Sequence, residues 1–181
     1  VARMAGQALG MTLLMWRSEG GFDAAGLAPL RFTDKRLRKS EQAANFQRAL
    51  GKITYSGPAV EFPLVPGTQD RLSWMVQRAA IAAAEPQRLA AGQRLSVFVS
   101  GARGDADVWA FRVLGAERVP TGAGKVNAIK LLREPRKPHD TRVEVWLGPQ
   151  HQHMPVRVRL SSGADGDALE FVLEEVILSS S

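Results

Sequence analysis

The sequence predicts a mainly β protein: a curved antiparallel sheet or open half-barrel, with one principal α-helix at about 69–85 packed on it. Three observations carry this expectation. From 140 to 160 the chain reads DTRVEVWLGPQHQHMPVRVRL, two alternating runs (Val143, Val145, Leu147 and Val156, Val158, Leu160) joined by a polar loop that opens on Gly-Pro. Such period-two alternation marks half-buried antiparallel strands. Other short apolar runs recur between Gly-rich turns, the spacing of sheets and barrels. Only one stretch has helical periodicity, so its apolar face has a natural partner in the open side of the sheet.

In chain order, Met11–Trp16 (MTLLMW) is continuously apolar and reads as a strand buried on both faces, or with its second face covered. Phe22 extends it before a turn at 23–26. The segment 30–39 (LRFTDKRLRK) alternates imperfectly and carries Arg31, Lys35, Arg36, Arg38 and Lys39 against Asp34, as a solvated edge hairpin defended by charge would. In the next ten residues only Phe46 is a large apolar anchor. A short strand follows at 52–56, with the single tyrosine, Tyr55. Pro58, Pro63 and Pro66 make 57–67 a loop, and Thr68-Gln69-Asp70 supplies side-chain oxygens to start a helix. Leu72, Met75, Val76, Ala79, Ala80 and Ala83 share one helical face, which Trp74 and Ile81 widen, and Pro86 ends it.

Strands are then expected at 94–100, 107–114, 117–119 and 126–133. The second places Trp109, Phe111 and Val113 on one face. Beyond the 140–160 hairpin and a turn at 163–167, a last strand over 168–178 would put Leu169, Phe171 and Leu173 opposite Glu170 and Glu174.

At 181 residues the chain has the length of a single domain, in which roughly 70% of the unfolded surface can be buried. It begins at Val1 already looking like strand, so we expect an internal piece of a longer protein whose export or anchor segment has been removed. The formal charge is +6, with arginine outnumbering lysine 18 to 6. That balance favours acidic partners in general without choosing among nucleic acid, phospholipid headgroups and lipopolysaccharide. The absence of cysteine removes thiol catalysis, disulfides and the common structural zinc sites. No apolar run approaches the ~20 residues of a membrane-spanning helix.

Chemical motifs are weak. Thr121-Gly122-Ala123-Gly124-Lys125 looks like a phosphate loop, yet Val119 stands where its first glycine belongs and Val126 where Ser or Thr should follow the lysine, so a turn is expected. His151 and His153, with Asp140, fall short of a diagnostic metal set, and His139 completes the histidine complement. No GxSxG elbow is present. The four tryptophans lie mostly in apolar strands or on the helix face, where packing is the default over base stacking. The expectation is therefore a non-enzymatic protein with no cofactor, no metal and no nucleic-acid partner.

Three blocks, GLAPLRFTDKR at 26–36, PGTQDRLSWMVQ at 66–77 and VEVWLGPQHQHMPVRVRL at 143–160, resemble the DUF3108 family, exported bacterial proteins of unknown function. The resemblance implies a periplasmic location and a mainly antiparallel β fold. By analogy it also implies likeness to the half-barrels of lipoprotein carriers, in which a sheet wraps an apolar cavity beneath a helical lid. It carries over no catalytic residue. On this reading Met11, Leu13, Met15, Trp74, Met75, Trp109, Phe111 and Trp146 would form wall or lid for a lipid or other apolar ligand, since methionine adapts to irregular cavities. Ordinary core filling is the competing account of the same residues. The alternative function is an envelope scaffold that binds another protein through an exposed strand edge or the basic residues Arg36, Arg38 and Lys39.

Overall fold

A computed structural model describes residues 1–8, 11–122, 124–136, 140–162 and 168–173, with backbone alone at 7, 8, 11 and 162. Its strands are β1 (Ala2–Ala8), β2 (Met11–Asp23), β3 (Gly26–Arg36), β4 (Gln42–Gln47), β5 (Lys52–Tyr55), β6 (Phe62–Pro63) and β7 (Gln69–Asp70). After the helix α1 (Ser73–Ala84) come β8 (Arg94–Ser100), β9 (Ala106–Thr121), β10 (Gly124–Arg133), β11 (Thr141–Leu147), β12 (Pro155–Ser162) and β13 (Ala168–Val172). The class is the expected one, mainly β, with an antiparallel sheet, a curled half-barrel sheet and one α-helix. Strand order is β1-β2-β3-β4-β5-β6 in one sheet and β13-β12-β11-β10-β9-β8-β7 in the other. The chain forms two compact units, residues 1–77 with 96–109, and residues 78–95 with 110–181.

In the first unit, successive strands pair antiparallel from β1 to β6. The core face of β2 carries Leu14, Trp16 and Ser18, and the Trp16 ring meets Phe32 edge-on at 6.0 Å. MTLLMW reads as a strand buried on both faces, or with its second face covered. Instead Met15, of opposite parity, is 45% exposed and lies between Ala5 and Lys35 on the neighbouring strands. The basic segment is not an edge either, since β3 sits between β2 and β4. Its inward Asp34 is neutralised by Arg36 at 2.9 Å and Arg103 at 3.2 Å, which lets a charged sequence occupy an interior strand.

The helix starts later than the periodicity implies. Gln69 and Asp70 pair parallel with Val99 and Ser100 as β7, and Asp70 caps the helix from there. Its Oδ1 accepts from the Leu72 and Ser73 amides at 2.8 and 2.7 Å, while its own N–H donates to Ser73 Oγ at 2.9 Å. Two donors that a helix start leaves orphaned are thereby satisfied. On the first turn of α1, Trp74 meets Trp109 edge-on at 6.1 Å. The proline-rich 57–67 stretch, expected as loop throughout, contributes Phe62 and Pro63 as a short strand on β5.

In the second unit, residues 110–121 of β9 continue without the break expected near 115 and pair with β10 through Thr121 and Gly124. Thr121 and Gly124 thus close the β9–β10 hairpin, as expected of a turn between strands. The β11–β12 hairpin has the predicted strands, but β11 is buried on both faces from Val143 to Leu147. Register explains how: Lys130 of β10 and Arg157 of β12 lie directly opposite Trp146. Their cations stand 4.6 and 5.1 Å from its ring, an arrangement that attracts through the ring quadrupole. The indole N–H donates to Glu117. Glu144 is bound by Lys130 at 2.8 Å; burial raises its carboxyl, but Lys130, Arg142 and Arg159 outweigh this and hold it below the ordinary value. Of the expected last strand, 168–172 is present, and residues from Glu174 onward lie outside the described part.

Candidate functional site

The β2–β3 hairpin sets Gly20 opposite Pro29, Gly21 opposite Ala28 and Phe22 opposite Leu27. Gly20 is required by close approach: a Cβ there would stand 2.2 Å from the Ala28 carbonyl oxygen and 2.7 Å from Pro29 Cα, where the register slips. At Gly21 the opposite holds, because a Cβ would meet nothing within 4 Å. Two glycines and an alanine at adjacent cross-strand positions leave a dent in the sheet. Val76 of α1 lies over it, and the result is a cavity of about 170 Å3 lined also by Leu27 and Pro29. Phe22 stands at its rim, 83% exposed.

Two hydroxyls reach the cavity wall, Ser18 and Ser73, and both are engaged by the fully buried Asp70. Ser18 Oγ donates to Asp70 Oδ2 at 2.6 Å, and Ser73 Oγ accepts the Asp70 N–H. Burial pushes the Asp70 carboxyl up, against the pull of its hydrogen bonds from Ser18, Ser73 and Leu72. With both hydroxyls committed to Asp70, the crevice is suited to an apolar group. Two glutamines hold its end: Gln77 Oε1 accepts the Leu27 N–H at 2.7 Å, and Gln69 Nε2 donates to the Leu27 carbonyl at 2.6 Å.

Comparison with known proteins gives one family, described as a protein of unknown function (DUF3108), whose model matches residues 1–172. The chain belongs to the DUF3108 family. No curated protein and no solved structure matches it.

Two of the three blocks that resemble DUF3108 meet at the crevice, one supplying Leu27, Ala28 and Pro29 and the other Ser73 and Val76. None of the seven expected wall or lid residues whose side chains are described lines it. Trp74, Met75 and Trp109 are buried in the first unit, the two tryptophans against each other. Leu13 is half-buried, Met15 faces outward, and the Met11 side chain lies outside the described residues. In the second unit Phe111 is buried, and Trp146 stands between Lys130 and Arg157. What sequence reading missed was the Gly20-Gly21-Phe22 run. Its available signal was a glycine pair inside a strand, which marks a bulge or a close backbone approach.

Arg36, Arg38 and Lys39 gather at the β3–β4 turn of this DUF3108 chain, where Arg36 is already bidentate to Asp34. His151 and His153 lie in the β11–β12 turn, and His139 is outside the described residues. Among the described residues no group of three or more His, Cys, Asp or Glu is placed to hold a metal, and no helix is long and apolar enough to cross a membrane. A larger surface concavity of about 450 Å3 beside the 23–26 turn has its charges paired, Arg48 with Asp23 at 2.8 Å.

Proposed function

We propose that this chain is a non-enzymatic binding module of the bacterial envelope, located in the periplasm, that takes the end of an apolar chain such as an acyl tail into the crevice between α1 and the β2–β3 hairpin. The observation that carries this is the cavity lined by Gly20, Gly21, Ala28 and Val76, with the large exposed ring of Phe22 at its mouth. An isolated exposed phenylalanine is unremarkable, but one bordering an apolar hollow adds area that a bound chain can cover. The family resemblance supports the compartment.

Calorimetric titration with straight-chain fatty acids of increasing length tests the reading. Affinity should rise by up to about 0.8 kcal/mol for each methylene that enters, then level off once the crevice is full. Binding that is absent at every length, or that rises without levelling, contradicts it. Fractionation of cells producing the full-length protein tests the compartment.

A second reading is favoured by the exposure of Leu30 as well as Phe22: the crevice accepts an apolar side chain of a partner envelope protein. Under that reading fatty acids fail to bind, while Phe22→Ser abolishes capture of the partner.

A further inference from the structure

The second unit contains a concavity of about 250 Å3 whose lining includes four arginines, Arg94, Arg112, Arg133 and Arg136, with a single acid, Glu134. Backbone geometry explains two of them. Gly92, at φ +88°, donates its N–H to the Val113 carbonyl, and the Val113 N–H donates to Gln93 O. Two residues thus oppose one in a glycine bulge at the start of β8. The register beyond it sets Arg94 directly opposite Arg112, and both are exposed.

Like charges at directly opposed positions repel. Neither guanidinium has an acidic partner among the described residues. The nearby carboxylates are taken: Glu134 binds Arg142, and both oxygens of Asp140 bind Arg133 at 2.8 and 2.9 Å. On the neighbouring strand Leu132 lies opposite Arg112, and Ala110, Phe111 and Leu132 also line the concavity. Two planar forks without an acid of their own match an oxyanion that accepts several hydrogen bonds at once.

We propose that this concavity binds a phosphate-type oxyanion through Arg94 and Arg112, the anion supplying the charge that the opposed arginines lack. The chemistry is shared by a lipid phosphate headgroup and by a free phosphate or soluble phosphate ester. The site uses none of the crevice residues, so either proposal can fail alone.

The test is titration of the purified chain with inorganic phosphate and with water-soluble dihexanoyl phosphatidic acid. At least one probe should bind saturably with one-to-one stoichiometry. Arg94→Gln and Arg112→Gln should each weaken it at least tenfold. Arg118→Gln removes an exposed arginine of β9 outside the concavity and should change affinity less than twofold. Tighter binding of the phosphatidic acid identifies a lipid headgroup, and equal binding a soluble phosphate, with the site upheld in both cases. Without ligand, the thermal midpoints of both glutamine variants should equal or exceed that of the wild type, because a repulsion has been removed. Failure of both probes to bind, undiminished binding in Arg94→Gln and Arg112→Gln, or an equal loss in Arg118→Gln overturns the proposal.

Discussion

The carboxamide of Gln77 stands in for a neighbouring strand at Leu27. Its Oε1 accepts the Leu27 N–H at 2.7 Å and its Nε2 donates to Ala25 O at 3.1 Å, while Gln69 takes the Leu27 carbonyl. Gly26 makes room: at φ +107°, a Cβ there would lie 2.2 Å from the Gln77 amide nitrogen. Gln77→Ala leaves the Leu27 donor without its partner, at a cost of about 1–3 kcal/mol. Urea unfolding should show that loss, and hydrogen exchange should show the Leu27 amide losing protection more than the Phe32 amide in the middle of β3.

Adjacent glycines should respond in opposite ways. Gly20→Ala drives a methyl into the Ala28 and Pro29 backbone, an overpacking that costs about 1–3 kcal/mol. Gly21→Ala meets open space at an ordinary φ, and should be neutral or stabilise by about 0.4–1 kcal/mol through the unfolded chain. Equal urea midpoints for the two variants would show that the bulge tolerates a side chain and that the close approach at Gly20 is not what shapes the hairpin.

Asp70 should make stability depend on pH in the sense opposite to that of a salt-bridged carboxylate. Burial raises its carboxyl above the ordinary value, so the fold favours the protonated form. Its contribution is then complete below the unfolded value and declines as pH rises through the folded one. Asp70→Asn keeps the acceptor for the helix amides and removes the titration. Its stability relative to wild type should therefore grow from acidic to neutral pH in urea melts at each pH. Asp70→Ala, which lacks the cap, should lose about 0.5–2 kcal/mol. A constant difference between the Asn variant and the wild type across pH would mean that Asp70 is ionised at no cost in the fold.

Local pattern made the strands and the single helix legible, because alternation and 3.6-residue spacing are properties of neighbouring residues. It failed where a distant partner decides. LRFTDKR reads as an edge until Arg103, far along the chain, is seen to neutralise Asp34. The alternation of β11 reads as half-buried until Lys130 and Arg157 are seen opposite Trp146 on the neighbouring strands. The helix start was misplaced by a few residues because Asp70 both pairs as strand and caps. For the site, large apolar residues drew the sequence reading toward Trp74, Trp109 and Met75, which pack the interior. A crevice is made by missing side chains, and Gly20, Gly21 and Ala28 form one only once β2 and β3 are in register.

The most direct test of the crevice is dodecanoate binding to Gly21→Leu beside the wild type. Gly21 lines the crevice and a Cβ there would meet nothing within 4 Å, so a leucine at this position should narrow the crevice without disturbing the hairpin. The urea midpoint of Gly21→Leu should match or exceed that of wild type while its dodecanoate affinity falls at least tenfold. Undiminished binding in a folded Gly21→Leu protein would place the apolar ligand elsewhere and contradict binding in the crevice.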